Sequence, residues 1–292
     1  MPIDAAKLKN WPFQPIVQNY SARDTILYAL GVGLGHDPMD RAQLRYVYED
    51  GLQALPTLAG VLGYPGFWAK DPATGIDWVK LLHGEQSLEL LAPLPAAGTV
   101  VGTTHVTAIV DKGAGKGALM YSERDIHEQA SGKLLAVSRS VSFMRGDGGF
   151  SATGQKSDEA PPPRAATPDT PPDHVCELQT RPEAALIYRL SGDYNPVHAD
   201  PAVAQAAGFE RPILHGLCSF GVSGHALLKT LCAYDPSRLK EIGCRFSAPV
   251  YPGETLRVEI WHLGGGRHAF RTKAVERDLV VLSHGSAQVA HG

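Results

Sequence analysis

The sequence predicts an α+β chain of two like units, each an antiparallel sheet wrapped around a long apolar helix. Three observations carry that prediction. A meander closes the chain: TLRVEIWHL alternates Leu256, Val258 and Ile260 against Arg257, Glu259 and Trp261. GGGRH then turns, and AFRTKAVER and LVVLSHGSAQVA follow as two more strands. Before the meander, LCSFGVSGHALLKTL (217–231) sets Leu217, Phe220, Leu227 and Leu231 at roughly helical spacing. Finally, PVYPGETL at 249–256 echoes PLPAAGTV at 93–100, and YRLSGD at 188–193 echoes YALGVG at 28–33. Matching segments in the same order predict a repeat.

At 292 residues the chain has room for two domains of ordinary size. The first unit spans 1–147. Its helix region, LPTLAGVLGYPGF, carries Gly60, Gly63 and Pro65, which bend or break a helix. Residues 148–173, GGFSATGQKSDEAPPPRAATPDTPPD, hold almost no large apolar side chain and read as an extended, semi-rigid linker. The second unit spans 174–292. There Asp200, Pro201 and Gly208 bracket a short helix, DPAVAQAAG. Gly216, Gly221 and Gly224 lower the helicity of the long apolar segment but permit very close packing against it.

Charge excludes some roles. A formal net charge of −3 argues against a general nucleic-acid partner, which needs a basic excess. No apolar run approaches a spanning helix, and MPIDAAKLKNWPF lacks the apolar stretch of a signal peptide. The chain ends in AHG rather than a peroxisomal SKL-type address. Four cysteines without CxxC spacing fit reduced thiols rather than a zinc site or disulfide framework. The expectation is a cytoplasmic protein with no membrane partner, metal or cofactor.

One stretch carries chemistry, SGDYNPVHAD at 191–200. Asp193 and Asn195 are turn formers and His198 a surface residue on one reading; on the other, an acid and an imidazole handle a water molecule. The loop leads through GFERPILHGLCSFG, where His215-Gly216 opens the apolar helix. Backbone N–H groups there are unpaired and sit at the positive end of the helix dipole, so the Gly216 N–H can hold a developing oxyanion. His215 itself reads as structural. Serine-hydrolase chemistry lacks its G-x-S-x-G elbow, and metal hydrolysis needs more ligands than these.

YRLSGDYNPVHADPAVAQAAGFERPILHGLCSFG resembles the signature of the MaoC-like, (R)-specific enoyl-CoA hydratase 2 family. LLHGEQSLELLAPLPAAG (81–98), IVDKGAGKGALM (109–120) and CRFSAPVYPGETL (244–256) resemble its two-unit form. The resemblance implies a double hot-dog fold and an acyl-CoA substrate, with a homodimer as the expected assembly. It implies that Asp193 and His198 hold the catalytic water, that Asn195 helps orient it and that the Gly216 N–H polarises the thioester carbonyl. His83, Gly84, Lys112 and Phe246 would line the acyl-CoA site, with Tyr194, Pro196 and Val197 from the motif loop. The first unit departs from the motif: Gly33 stands opposite Asp193 and no NPxH follows GVGLGHDPMD. That unit is expected to be catalytically silent, its broken helix making room for a long or bulky acyl chain. The rival readings are a hot-dog acyl-CoA thioesterase and a non-catalytic acyl-CoA binding protein.

Overall fold

The computed structural model describes residues 3–290. The first half contributes α1 (Ala5–Lys9), β1 (Ile16–Tyr20), α2 (Ala22–Gly31), α3 (Arg41–Leu44), β2 (Leu81–Leu90), β3 (Gly98–Asp111), β4 (Ala118–Glu128) and β5 (Leu134–Met144). The second contributes β6 (His174–Gln179), α4 (Ala184–Tyr188), α5 (Pro201–Ala206), α6 (Gly216–Leu231), β7 (Leu239–Phe246), β8 (Thr255–Gly264), β9 (Arg267–Ala274) and β10 (Leu279–Val289). The expected meander is β8, β9 and β10, with glycines 264–266 all at positive φ in its first turn.

The double hot-dog is present, with a correction in detail. Instead of two separate sheets there is one ten-stranded sheet, ordered β1-β3-β4-β5-β2-β7-β10-β9-β8-β6. Each half of that order repeats the other outward from the β2–β7 seam, so the duplication read from two short echoes extends through the topology. Backbone pairing across the seam sets Glu85 opposite Arg245 and Leu88 opposite Ile242. The Glu85 carboxylate also accepts from the Arg245 guanidinium at 2.8 Å and pairs with Arg164 at 3.3 Å.

The second correction concerns the helices. Only the second unit has its long helix. The matching stretch of the first is a single 3₁₀ turn, Pro56–Gly60. Helix α6 is apolar almost all round, burying Phe220, Val222, Leu227 and Leu228. Each such side chain contributes roughly 1.5–3 kcal/mol of transfer free energy. Its inner neighbours Val258, Ile260 and Phe270 are completely enclosed. The face away from its own sheet abuts the first unit. A Cβ at Gly221 would stand 2.6 Å from Val32, and one at Gly224 would stand 2.5 Å from Thr57. These glycines are therefore one of the places where the two units pack together.

The Pro-rich stretch has no strand or helix between Thr153 and His174, but it is tied down along its length. Phe150 is fully buried, and the Asp158 carboxylate accepts from the Ile109 N–H at 2.8 Å. Arg164 lies across Gly243 on the seam, and the Thr170 carbonyl accepts from the Trp261 indole at 2.8 Å.

Gly224→Val overfills the contact between α6 and Thr57. Its expected cost is about 1–3 kcal/mol, read as a lower midpoint in urea with unchanged slope. An unaltered midpoint would mean that the two units do not rely on this contact.

Candidate active site

The motif loop is shaped first by its own turn chemistry. Asp193 accepts from the Asn195 N–H at 3.1 Å through Oδ1, and Asn195 Oδ1 accepts from the Val197 N–H at 3.2 Å. Asn195 thereby caps the 3₁₀ turn Pro196–His198. Asp200 caps α5 in the same way, through the Ala202 N–H at 2.8 Å. So the turn reading of this stretch holds. It also leaves Asp193 Oδ2 and the Asn195 amide NH₂ out of the turn's own bonds.

His198 is turned inward and nearly enclosed, and its Nδ1 lies 2.8 Å from the Ile213 carbonyl. A carbonyl only accepts, so Nδ1 carries the proton and Nε2 presents a lone pair. That Nε2 stands 4.0 Å from Asp193 Oδ2, whose side chain is 53% exposed. The gap is too long for a direct hydrogen bond and wide enough for one water to touch both atoms. Burial holds the His198 imidazole below its ordinary pKa against the opposing pull of the Ile213 carbonyl and Asp193.

His215 supports this arrangement. Its ring stacks on His198 with centroids 3.7 Å apart, and its Nε2 donates to the Asp193 backbone carbonyl at 3.1 Å. Burial, with His198 alongside, lowers its pKa as well. The structural role read for His215 from the sequence thus becomes a definite one: it clamps both ends of the Asp193–His198 loop. Asp193, His198 and His215 bring ligand atoms within 4.8 Å of one another, the one such trio among the described residues. Both histidines spend one nitrogen on a backbone carbonyl, which leaves one carboxylate and two neutral imidazoles around the gap.

The helix terminus lies beside it. His215 at the N-cap of α6 supplies no side-chain cap, and Gly216 is exposed, so the first N–H groups of the helix are open to a ligand. Phe246 at the end of β7 packs over Gly216, where a Cβ would come within 3.1 Å of its ring. His83 reaches across the seam to the same ring, with centroids 4.8 Å apart. Gly84 makes that possible as the extra residue of a β-bulge, since His83 pairs with Ser142 and Glu85 with Val141. Tyr194 projects outward, 59% exposed, under the Arg189 guanidinium, and Pro196 is exposed beside the half-buried Val197.

Lys112 is placed differently from the other expected site residues. It is exposed in the β3–β4 turn, and its N–H bonds Gly117. Strand register puts that turn at the same end of the sheet as the start of β2, three strand spacings away. Two neighbours escaped sequence reasoning. Tyr64, in the turn after Gly60, lies within Coulombic reach of Asp193 and under the Arg124 guanidinium at 5.5 Å. Arg124 is buried in β4. Its signal was a charged residue in phase with the inward-facing Met120 and Ile126.

Residues 163–284 match the MaoC like domain family, and residues 18–146 match the MFE-2 hydratase 2 N-terminal domain family. Among curated proteins, the chain is 41% identical to enoyl-CoA hydratase 2, peroxisomal, of Arabidopsis thaliana, covering 90% of this chain and 88% of that one. It is 40% identical to 3-hydroxyacyl-thioester dehydratase Y of Mycobacterium tuberculosis, covering 96% of each. Among solved structures, a MaoC-like dehydratase from Phytophthora capsici superposes with a TM-score of 0.86 at 36% identity, covering 98% of this chain and 99% of that one.

The enclosed histidines set a pH dependence. His225 in α6 donates to the Val32 carbonyl and accepts from Tyr234, and burial lowers its pKa from 6.5 to about 4. With folded values below the unfolded ones, the unfolded chain binds more protons as pH falls. Stability contributed by neutral His215 and His225 is therefore complete above about pH 6.5 and lost toward pH 4, and His198 adds to the loss in the same direction. Urea unfolding across that window should show the decline, and His225→Phe should flatten it.

Proposed function

This chain belongs to the MaoC-like enoyl-CoA hydratase 2 family, and from that premise we propose that it is an (R)-specific 2-enoyl-CoA hydratase. The reaction is reversible syn addition of water across a trans-2-enoyl-CoA, giving a (3R)-3-hydroxyacyl-CoA. One observation carries the mechanism: the 4.0 Å gap between a neutral His198 Nε2 and Asp193 Oδ2, beside an uncapped helix terminus.

A water in that gap donates one hydrogen to His198 Nε2 and the other to Asp193, which leaves an oxygen lone pair free to attack C3. His198 accepts the proton as the C–O bond forms. Charge moves through C2 onto the thioester oxygen, where the Gly216 N–H stabilises the enolate. The same face then returns a proton to C2, which makes the addition syn. The open Asn195 amide steadies the water. Activity toward acid should persist below the ordinary histidine range because burial keeps His198 neutral there.

His83 and Phe246 form the wall against which the thioester lies, and Tyr194, Pro196 and Val197 frame the mouth. In this reading the exposed Lys112 meets the CoA moiety away from the reacting carbons. The space left by the first unit's missing helix takes the acyl chain, while that unit performs no chemistry. The homodimer and a cytoplasmic setting belong to the same proposal. Four free, buried thiols support a reducing compartment.

Asp193→Asn keeps the Asx turn and His198→Ala keeps the backbone, yet each should lower kcat by roughly 10²–10⁴ on a medium-chain enoyl-CoA. Near-full turnover by either variant, with folding verified by circular dichroism, would remove the pair from the mechanism. The N–H is tested separately. Gly216→Pro suits the first helical position but deletes the donor, and should cost roughly 10²–10³ in kcat. Gly216→Ala controls for the added Cβ against Phe246; equal rates for the two variants would exclude the oxyanion role.

A further inference from the structure

The first unit's inner face differs from the second's in one respect that its missing helix does not account for. In the second unit the matching position is apolar, with Ile260 paired to Phe270 beneath α6. Thr104 holds the repeat position of Ile260, and its cross-strand partner is Arg124. A guanidinium thus occupies the place of a core phenylalanine. Around it the face stays polar: Arg124 pairs in register with Ser138, whose hydroxyl accepts from Gln86 at 2.9 Å.

Arg124 is only 7% exposed, and among the described residues no carboxylate lies within ion-pair distance of it. One donor is used, Nη2 to the Gly60 carbonyl at 2.7 Å. Its Nε is enclosed without a partner, as is the neighbouring Thr104 hydroxyl. Burial draws the guanidinium down to about 10. A buried cation left so poorly matched is costly, and its unmet donor calls for a partner. The Tyr64 ring, itself 45% exposed, lies 5.5 Å from the guanidinium. That ring stands in a turn between Gly63 and Gly66, both at positive φ, and within Coulombic reach of Asp193.

Resting on the acyl-CoA reading above, we propose that Arg124 is a specificity residue that receives an oxygen-bearing distal group of the acyl chain, a carboxylate above all. The enoyl carbons lie at Asp193 and His198, the chain runs past Tyr64, and the terminal carboxylate meets the Nε–Nη edge of the guanidinium. A planar fork matches a carboxylate with two parallel hydrogen bonds. The desolvation of the cation is incurred on folding, so a carboxylated chain offsets it, whereas a methyl-terminated chain leaves it in place.

The test is equilibrium binding of saturated acyl-CoA and ω-carboxyacyl-CoA thioesters, matched across a series of chain lengths, which needs no turnover. Wild type should bind the carboxylated member roughly 10- to 100-fold more tightly at the fitting length. Arg124→Met should abolish that preference, while Arg124→Lys, which keeps charge but not the fork, should retain part of it. Equal affinity in wild type at every length, or a preference that survives in Arg124→Met, would overturn the assignment. If Arg124→Met fails to fold, wild type and Arg124→Lys decide it: an undiminished preference in Arg124→Lys counts against the fork. Hydration of a simple enoyl-CoA by wild type is measured separately, so failure of the activity reading is distinguishable from failure of this one.

Discussion

The pairing of β2 with β7 is the constraint on which the rest of the molecule depends. It makes one sheet of two units and puts Glu85 opposite Arg245, with Arg164 of the connecting stretch joining the same carboxylate. It also fixes what meets at the site. The Gly84 bulge lies one residue from the seam, and Phe246 lies one residue past Arg245, so His83 and Phe246 come together from opposite halves. Phe246 in turn covers the N-terminus of α6. The second unit brings the helix terminus and Phe246 to the motif loop, and the pairing adds His83 from the first.

Within that frame the loop is organised by two backbone carbonyls. Ile213 claims His198 Nδ1, and the Asp193 carbonyl claims His215 Nε2. Each fixes a tautomer, and stacking of the two rings keeps both planes in place. Burial then keeps the rings neutral, while Asp193 stays largely exposed. An enclosed neutral acceptor facing a solvent-exposed carboxylate is what a site needs if water must enter from one side and give up a proton on the other. The two units also divide their labour by packing. Glycines in α6 let it fill the core of its own sheet and pack against Val32 and Thr57 of the first unit, whose sheet keeps polar groups at Arg124, Ser138 and Gln86.

Much of this was legible in the chain. Period-2 alternation and the GGG turn gave the meander, Gly60, Gly63 and Pro65 marked the first unit's helix as broken, and the Asp200-Pro201 pair located α5 to within a residue or two. Asp193 and His198 fall within a short span and do face one another. What stayed hidden depended on contacts distant in sequence. Lys112 looked like a companion of His83, yet strand order places three strand spacings between their ends. Arg124 is one charge among several in YSERDIHE, and only its register with Thr104 and Ser138 turns it inward.

The sequence by itself determined the local elements, the duplication and the motif, because turn chemistry, periodicity and helix caps act between residues a few positions apart. Only the tertiary structure decided that the two sheets are one and that one helix serves both units. It also decided that His215 clamps the loop and that Arg124 is enclosed without a carboxylate. Those outcomes follow from strand pairing and burial, which join residues about 14 to 190 positions apart and leave no local trace in either partner.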